Sequence, residues 1–164
     1  MIDQNLQDLA GALLDQVKAA GKMVATAESC TGGLIAGTLT EVAGSSAVVE
    51  RGFVTYSNEA KNELLGVPEP MLAEHGAVSE PVARAMAEGA LQRSRADLAV
   101  AVTGVAGPGG GSDDKPVGLV HLAVAATGQP TAHRKMLYGD IGRTGIRRAT
   151  VVTALEMLRA ALPG

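Results

Sequence analysis

The chain is poor in the residues that build metal sites, disulfides and aromatic platforms. Its 164 residues include one cysteine, three histidines and no tryptophan. No spacing of His, Cys and Asp suggests a metal site, and the lone Cys30 cannot form an internal disulfide. Two tyrosines and one phenylalanine are too few for the stacking platforms that bind single-stranded nucleic acid. We therefore expect a protein of the reducing cytoplasm that holds no metal.

Positive charge and long apolar runs are also scarce. The 14 basic and 17 acidic residues give a net charge of −3, so no excess of positive charge attracts nucleic acid. Apolar runs are broken well before membrane-spanning length, and the first residues lack the pattern of a secretory signal. With 46% hydrophobic residues the chain can bury a substantial core. We expect one soluble domain over residues 1–164, with no nucleic-acid or membrane partner.

Apolar periodicity predicts helices that alternate with strands. Apolar residues three and four positions apart predict helices over 3–20, 34–42, 59–65, 81–95 and 144–162. Short apolar runs predict strands over 23–27, 48–56, 96–103, 117–126 and 131–138, and the last two form a hairpin. Pro68 and Pro70 mark a connection between elements. This order predicts a layered α/β domain with a mixed sheet.

Three segments are expected to meet at the edge of the sheet where α/β proteins bind ligands. That edge lies beyond the carboxyl ends of the strands. The segments are Glu-Ser-Cys-Thr-Gly-Gly over 28–33, Tyr-Ser-Asn-Glu-Ala-Lys over 56–61, and the glycine-rich stretch over 103–115. Together they supply a small nucleophile, a cation that can act as a base, and many backbone donors.

Ser29 is the candidate nucleophile. It lies just before a predicted helix, where unpaired backbone N–H groups can stabilise the oxyanion of a tetrahedral intermediate. Two alternatives remain open. Ser29 or Thr31 can simply cap the helix. Cys30 can be the nucleophile, because a helix N-terminus lowers a thiol pKa, although a lone cysteine also serves as a small buried hydrophobe.

Lys61 is the candidate base. A serine hydroxyl needs a base, but His75, His121 and His133 do not lie beside a predicted strand end. Lys61 follows the second predicted strand by a few residues and can reach the same edge of the sheet. Partial burial would lower its pKa toward the range useful for proton abstraction, whereas a solvated lysine is the alternative.

Two further features suggest a phosphate ligand. The loop over 104–118 matches neither the Walker pattern nor Gly-x-Gly-x-x-Gly, but its glycines let backbone approach a ligand, and a mobile surface loop is the alternative. Arg143, Arg147 and Arg148 crowd the start of the last predicted helix, where the helix dipole disfavours cations. A phosphate would offset this cost, as would a solvated helix face or an intersubunit salt bridge.

Six motifs follow one another along nearly the whole chain. They are Thr26-Ala-Glu-Ser-Cys-Thr-Gly-Gly-Leu-Ile-Ala36, Gly44-Ser-Ser46, Gly52-Phe-Val-Thr-Tyr-Ser-Asn-Glu-Ala-Lys61, Gly76-Ala-Val-Ser79, Thr103-Gly-Val-Ala-Gly-Pro-Gly-Gly110 and Lys115-Pro-Val-Gly-Leu-Val120. This ordered set resembles the C-terminal domain of the competence/damage-inducible protein CinA, a family whose stand-alone members are nicotinamide-nucleotide amidases.

The resemblance implies a three-layer α/β/α sandwich with a mixed, mostly parallel sheet. It implies hydrolysis of the carboxamide of nicotinamide mononucleotide to nicotinic acid mononucleotide and ammonia, in pyridine-nucleotide salvage and without a cofactor. The family's Ser-Lys pair falls on Ser29 and Lys61. The supporting residues that the resemblance implies are Ser46, Tyr56, Thr103 and Arg143. We also expect a homo-oligomer, a dimer or larger.

The implied chemistry assigns roles to the remaining residues. Donors at Thr31, Gly32 and Gly33, or near Thr103 and Gly104, would stabilise the oxyanion. Tyr56 would stack on the nicotinamide ring or hydrogen-bond Lys61. The residues expected to hold the 5′-phosphate are the loop glycines Gly107 and Gly109, with Lys115 or Arg143. The alternative function is a non-catalytic nucleotide-binding or protein-interaction module linked to competence or DNA damage.

Overall fold

One mixed sheet organises the chain. A computed structural model describes residues 2–163, in which five strands form the sheet. The strands are β1 (Val24–Glu28), β2 (Val49–Val54), β3 (Leu98–Gly104), β4 (Leu119–Ala126) and β5 (Ala132–Leu137). Their order is β2-β1-β3-β4-β5, with β2, β1 and β3 parallel and the β3–β4 and β4–β5 pairs antiparallel. Four strands therefore run in one direction, and the predicted mixed, mostly parallel sheet is confirmed.

Helices cover both faces of the sheet. They are α1 (Gln4–Ala19), α2 (Leu34–Thr40), α3 (Asn58–Leu65), α4 (Glu69–His75), α5 (Glu80–Gln92) and α6 (Arg143–Ala160). Apolar side chains of α1, α2 and α6 form one core with one face of the sheet, and those of α3, α4 and α5 form a second core with the other face. The predicted three-layer sandwich is confirmed.

The two faces of the sheet differ in the size of their side chains. Along β3 the larger residues Leu98, Val100 and Val102 face the α1 and α6 layer, whereas Ala99 and Ala101 face α5. This alternation follows from the period of two in a strand. A packed interior leaves no gaps between its layers, so the small side chains on this face bring α5 close to the sheet.

Helix α4 is the main element that the sequence analysis missed. Pro68 and Pro70 were expected to mark an irregular connection, but Pro68 precedes the helix and Pro70 lies in its first turn. Proline is tolerated there, since the first N–H groups of a helix have no partner inside it. No helix in residues 2–163 combines the length and apolar character that a membrane span requires.

The close packing of α5 against α3 can be tested by a substitution at Gly89. A Cβ at Gly89 would lie 2.0 Å from the carbonyl oxygen of Leu65, whereas a Cβ at Gly11 in α1 would meet no atom within 4 Å. We expect Gly89→Ala to lower the free energy of unfolding by about 1–3 kcal/mol, because the backbone must shift. The matched Gly11→Ala change should raise it by roughly 0.5–1 kcal/mol, because alanine favours a helix. Urea unfolding of both variants checks this, and an unchanged midpoint for Gly89→Ala would contradict it.

Candidate active site

Ser29 lies at the carboxyl edge of the sheet, directly after β1. Its N–H donates to the carbonyl oxygen of Val102 at 3.1 Å, and the N–H of Thr55 donates to the carbonyl oxygen of Glu28 at 2.8 Å. These bonds continue the pairing of β1 with β3 and β2 beyond the last residue of the strand. The main chain at Ser29 is therefore fixed by its neighbours on both sides.

The buried carboxylate of Glu28 caps α2. It accepts hydrogen bonds from the N–H groups of Ile35 at 2.8 Å and Ala36 at 3.0 Å, and from the Thr31 hydroxyl. The N-cap position is Gly33, which has no side chain to offer. The interpretation of Ser29 or Thr31 as the helix cap is therefore wrong, because the preceding acid fills that role. The Ser29 hydroxyl is left for another partner.

That partner is Lys61, a residue of α3 whose side chain is almost completely buried. Lys61 Nζ lies 2.9 Å from Ser29 Oγ, and it donates to the carbonyl oxygens of Thr55 at 3.0 Å and Tyr56 at 3.3 Å. Lys61 is 1% exposed, and in residues 2–163 it forms no ion pair. Burial lowers the pKa of its amine. When this amine is neutral, its two N–H bonds can remain with the carbonyl oxygens, and its lone pair can accept the proton of the Ser29 hydroxyl.

A cavity of about 310 Å³ opens above the Ser29 and Lys61 pair. This volume lies near the lower end of the range for small-molecule sites, about 300–1,000 Å³. The predicted site residues that line it are Ser29, Tyr56, Lys61, Thr103, Gly104, Gly107, Gly109 and Arg143. The lining residues to which the sequence analysis gave no binding role are Cys30, Asn58, Ala77, Val78, Val105, Ala106 and Gly110. All seven lie inside the motifs that carry the family resemblance, which is the signal that could have pointed to them.

Arg143 joins the two sides of the cavity mouth. Its Nη1 donates to the carbonyl oxygen of Gly107 at 2.8 Å, and its Nη2 donates to the Tyr56 hydroxyl at 3.1 Å. Tyr56 is 60% exposed, and only its carbonyl oxygen contacts Lys61. The expected bond from the Tyr56 side chain to Lys61 is therefore replaced by one to Arg143. Both side chains can reach a ligand that enters the cavity.

Thr103 lines the cavity at the end of β3. Its buried hydroxyl donates to the carbonyl oxygen of Ala77 at 2.9 Å, which ties the end of β3 to the loop before α5. At the next residue, Gly104, a Cβ would lie 2.6 Å from the Val120 side chain. Glycine is required at this position because β3 and β4 approach each other closely where the glycine-rich loop begins.

The start of α2 offers fewer oxyanion donors than predicted. The N–H of Gly32 donates to the carbonyl oxygen of Ser29 at 3.0 Å, and the Thr31 side chain is turned inward to Glu28. Thr31, Gly32 and Gly33 do not line the cavity. The N–H groups of Cys30 and Thr31 donate to no other residue in the part of the chain that the structure describes. They are the free donors nearest to Ser29 along the chain.

Two predicted binding residues lie away from the cavity. Ser46 is exposed in the short turn Ser45–Ala47 that precedes β2. Because the β1-α2-β2 crossover returns the chain to the amino ends of the parallel strands, Ser46 lies at the opposite edge of the sheet. Lys115 donates from Nζ to the carbonyl oxygen of His75 at 2.6 Å and does not line the cavity.

The three arginines in the first two turns of α6 diverge. Arg143 lines the cavity, and Arg147 donates from Nη2 to the carbonyl oxygen of Thr31 at 3.0 Å. Arg148 forms an ion pair with Asp3 at 2.9 Å, on the outer surface of the α1 and α6 layer. Of these three arginines, only Arg143 lines the cavity, so only Arg143 is placed to bind an anion there.

The rival nucleophile and the rejected bases are also placed by the structure. Cys30 is buried, and burial raises the pKa of its thiol to about 12, which disfavours the reactive thiolate. His121 Nδ1 lies 2.9 Å from His133 Nε2, and neither these histidines nor His75 lines the cavity. Within residues 2–163, no group of three or more His, Cys, Asp or Glu side chains is placed to hold a metal ion.

Comparison with known proteins places the fold and the sequence in one family. The family model described as the CinA C-terminal domain matches residues 6–162. The nicotinamide-nucleotide amidohydrolase PncC of Escherichia coli K12 is 52% identical over 159 residues, which cover 96% of this chain and 95% of that protein. A competence-damage inducible protein of Symbiobacterium thermophilum is 53% identical over 171 aligned residues, and this chain spans only 39% of its length.

A solved structure agrees with these sequence matches. The crystal structure of competence/damage inducible protein CihA from Agrobacterium tumefaciens superposes with a TM-score of 0.95 at 61% sequence identity. The superposition covers 98% of this chain and 97% of that one. The similarity therefore extends over the whole sandwich and is not limited to the motifs around the cavity.

The pH dependence of stability tests the state of Lys61. Burial lowers the pKa of Lys61 in the folded chain below its ordinary 10.5. At pH values between the lowered pKa and 10.5, Lys61 is therefore protonated in the unfolded chain and deprotonated in the folded chain. Relative to Lys61→Met, the native protein should therefore gain stability as pH rises through that window, by up to about 1.4 kcal/mol per pH unit. Urea unfolding of both proteins at a series of pH values measures the difference. A difference that stays constant across pH would show that the pKa of the amine is the same in both states.

Proposed function

The chain belongs to the CinA C-terminal domain family, and on that premise we propose that it hydrolyses the carboxamide of nicotinamide mononucleotide to nicotinic acid mononucleotide and ammonia. The name of the Escherichia coli relative, nicotinamide-nucleotide amidohydrolase, supports this substrate class. The observation that carries the proposal is the buried Lys61 amine, 2.9 Å from Ser29 Oγ at one end of a cavity. A lysine without a counter-ion beside a serine hydroxyl is suited to act as a general base.

The first half of the proposed reaction forms an ester. Neutral Lys61 accepts the hydroxyl proton of Ser29 while Oγ forms a bond to the carboxamide carbon. The carbonyl oxygen becomes an oxyanion, for which the N–H group of Cys30, a residue that lines the cavity, is the proposed donor. The C–N bond then breaks, Lys61 returns its proton to the departing nitrogen, and ammonia leaves. Ser29 is now joined to the nicotinoyl group.

The second half releases the acid and restores the site. A water molecule gives a proton to Lys61 as its oxygen attacks the ester carbon, through the same oxyanion site. The bond to Ser29 Oγ breaks, and the proton on Lys61 returns to the serine. The same pair of residues thus serves both halves, with one proton moving between them each time.

We assign the phosphate of the substrate to the part of the cavity lined by Arg143 and the glycine-rich loop. There Arg143 offers a guanidinium, and the N–H groups of Ala106, Gly107 and Gly109 donate to no protein acceptor within residues 2–163. Backbone donors and an arginine together are a common phosphate site. On this assignment a phosphate draws Arg143 from Gly107 and Tyr56, and Tyr56 is then free to contact the nicotinamide ring.

Replacement of either member of the pair tests the mechanism. We expect Ser29→Ala to lower ammonia release from nicotinamide mononucleotide by about 10⁴-fold or more, because the nucleophile is lost. Lys61→Arg should lower it by about 10²–10⁴-fold, since arginine stays charged and cannot accept the proton. Ammonia is measured in the presence of EDTA, and circular dichroism confirms that each variant is folded. Full activity in Ser29→Ala would contradict the proposed mechanism but not the proposed function. A wild-type protein that binds the nucleotide without turnover would instead favour a non-catalytic binding module.

Comparison of two substrates tests the phosphate site. Arg143→Met should raise the KM for nicotinamide mononucleotide roughly 10–100-fold, which corresponds to loss of a charged hydrogen bond worth about 1.5–3 kcal/mol. It should change the already weak turnover of nicotinamide riboside little, because the riboside has no phosphate. Arg148→Met is the matched control, since Arg148 lies on the same helix and pairs with Asp3. Equal effects on both substrates would contradict the assignment of Arg143.

A further inference from the structure

Arg147 contacts the Ser29 turn from the side away from the cavity. Its Nη2 donates to the carbonyl oxygen of Thr31 at 3.0 Å, and its buried Nε has no hydrogen-bond partner in the described part of the chain. Arg147 forms no ion pair within residues 2–163, and it lies near the start of α6, where the helix dipole disfavours a cation. A buried N–H without a partner and an unpaired charge both oppose folding, so stability alone does not account for this residue.

Thr31 is held from two directions. Glu28 accepts the hydrogen bond of its hydroxyl, and Arg147 donates to its carbonyl oxygen. Gly32 follows with a φ of +60°, and a Cβ on it would lie 3.5 Å from Arg147 Nη2. The guanidinium therefore packs directly against the turn. Because a peptide unit is planar, holding the Thr31 carbonyl oxygen also orients the N–H of Gly32, which donates to the carbonyl oxygen of Ser29. That carbonyl belongs to the same peptide unit as the N–H of Cys30, so the contact orients this N–H as well.

We propose that Arg147 is a positioning residue, which holds the turn so that the N–H group of Cys30 faces the oxyanion formed at Ser29. The inference rests on the proposed function. Oxyanion donors are effective only when their geometry is fixed before the reaction, because a donor that must reorient loses much of its contribution. Arg147 supplies this fixation from α6, while Glu28 supplies it from β1.

Two other roles for Arg147 fit the contacts less well. A phosphate ligand should line the cavity, and Arg147 does not. Arg147 could also act only through its positive charge. The carboxylate of Glu28, which binds the same threonine, offsets that charge at the turn. The contact that remains is the directional hydrogen bond to the Thr31 carbonyl.

The test compares Arg147→Met with Arg148→Met. Methionine keeps much of the apolar stem of arginine and removes its donors, and Arg148 is the neighbouring arginine that pairs with Asp3 outside the site. We expect Arg147→Met to lower kcat by about 10²-fold, as for the loss of an oxyanion donor, with KM changed by less than about threefold. The loss should be the same for nicotinamide mononucleotide and nicotinamide riboside. Arg148→Met should stay within about twofold of wild type.

A second variant and a second readout separate positioning from folding. Arg147→Lys keeps a cationic donor for the Thr31 carbonyl and should recover about tenfold of the lost kcat, whereas a structural role would show only in the unfolding midpoint. Labelling of Ser29 by a fluorophosphonate, followed by intact mass, should slow in Arg147→Met by a factor similar to that in kcat, because this reaction also needs the oxyanion donors.

The outcomes distinguish this inference from the proposed function. A wild-type protein that releases no ammonia would overturn the function. A wild-type rate in folded Arg147→Met, or an effect confined to KM, would overturn the positioning role alone. Should Arg147→Met fail to fold, Arg147→Lys decides: an unchanged kcat and labelling rate with a lowered unfolding midpoint would overturn the inference, and a loss of kcat at unchanged KM would support it.

Discussion

The burial of the Lys61 amine without a carboxylate partner is the constraint on which the site depends. Removing an ammonium from water is costly, so burial lowers the pKa of the Lys61 amine. Its buried N–H bonds need acceptors, which the carbonyl oxygens of Thr55 and Tyr56 provide. For this reason β2 must end just before Thr55 and α3 must begin almost at once, so that Lys61 in its first turns folds back beneath the strand end. The spacing between Tyr56 and Lys61 is a consequence of that geometry.

The polar groups of the Ser29 turn have separate roles. Glu28 occupies the N–H groups at the start of α2, which would otherwise compete for the Ser29 hydroxyl. The carboxylate belongs to the last residue of β1, so its position is as rigid as the sheet. With the cap supplied by Glu28, the hydroxyl of Ser29 is free to face Lys61 and the cavity. The start of α2 therefore needs no serine cap, and the Ser29 hydroxyl is available to Lys61.

Sequence patterns predicted the parts of the site that follow from sheet topology. The carboxyl ends of β1, β2 and β3 had to meet, which brought Ser29, Lys61 and Thr103 together. The patterns did not show that Glu28 turns back onto α2, because the identity of a cap depends on which side chain the fold brings within reach. Ser46 was carried over from a family resemblance, although the crossover places it at the far edge of the sheet. The sequence also did not show that Arg143 and Arg147 have different partners. Residues four apart lie on the same face of a helix, but they are separated by about 6 Å along its axis.

The distribution of charge gives the site its chemical character. At the surface, Arg148, Arg84 and Arg51 each pair with a carboxylate. By contrast, Lys61, Arg143 and Arg147 form no ion pair within the described residues, and Arg143 is the first residue of α6, where the helix dipole disfavours a cation. A guanidinium without a carboxylate partner is offset when a negative charge binds beside it. A phosphate near Arg143 and an oxyanion near the Ser29 turn are two such charges. A nucleotide amide would bring the first on binding and develop the second during reaction, so that the cost to the folded protein is offset most fully in the transition state.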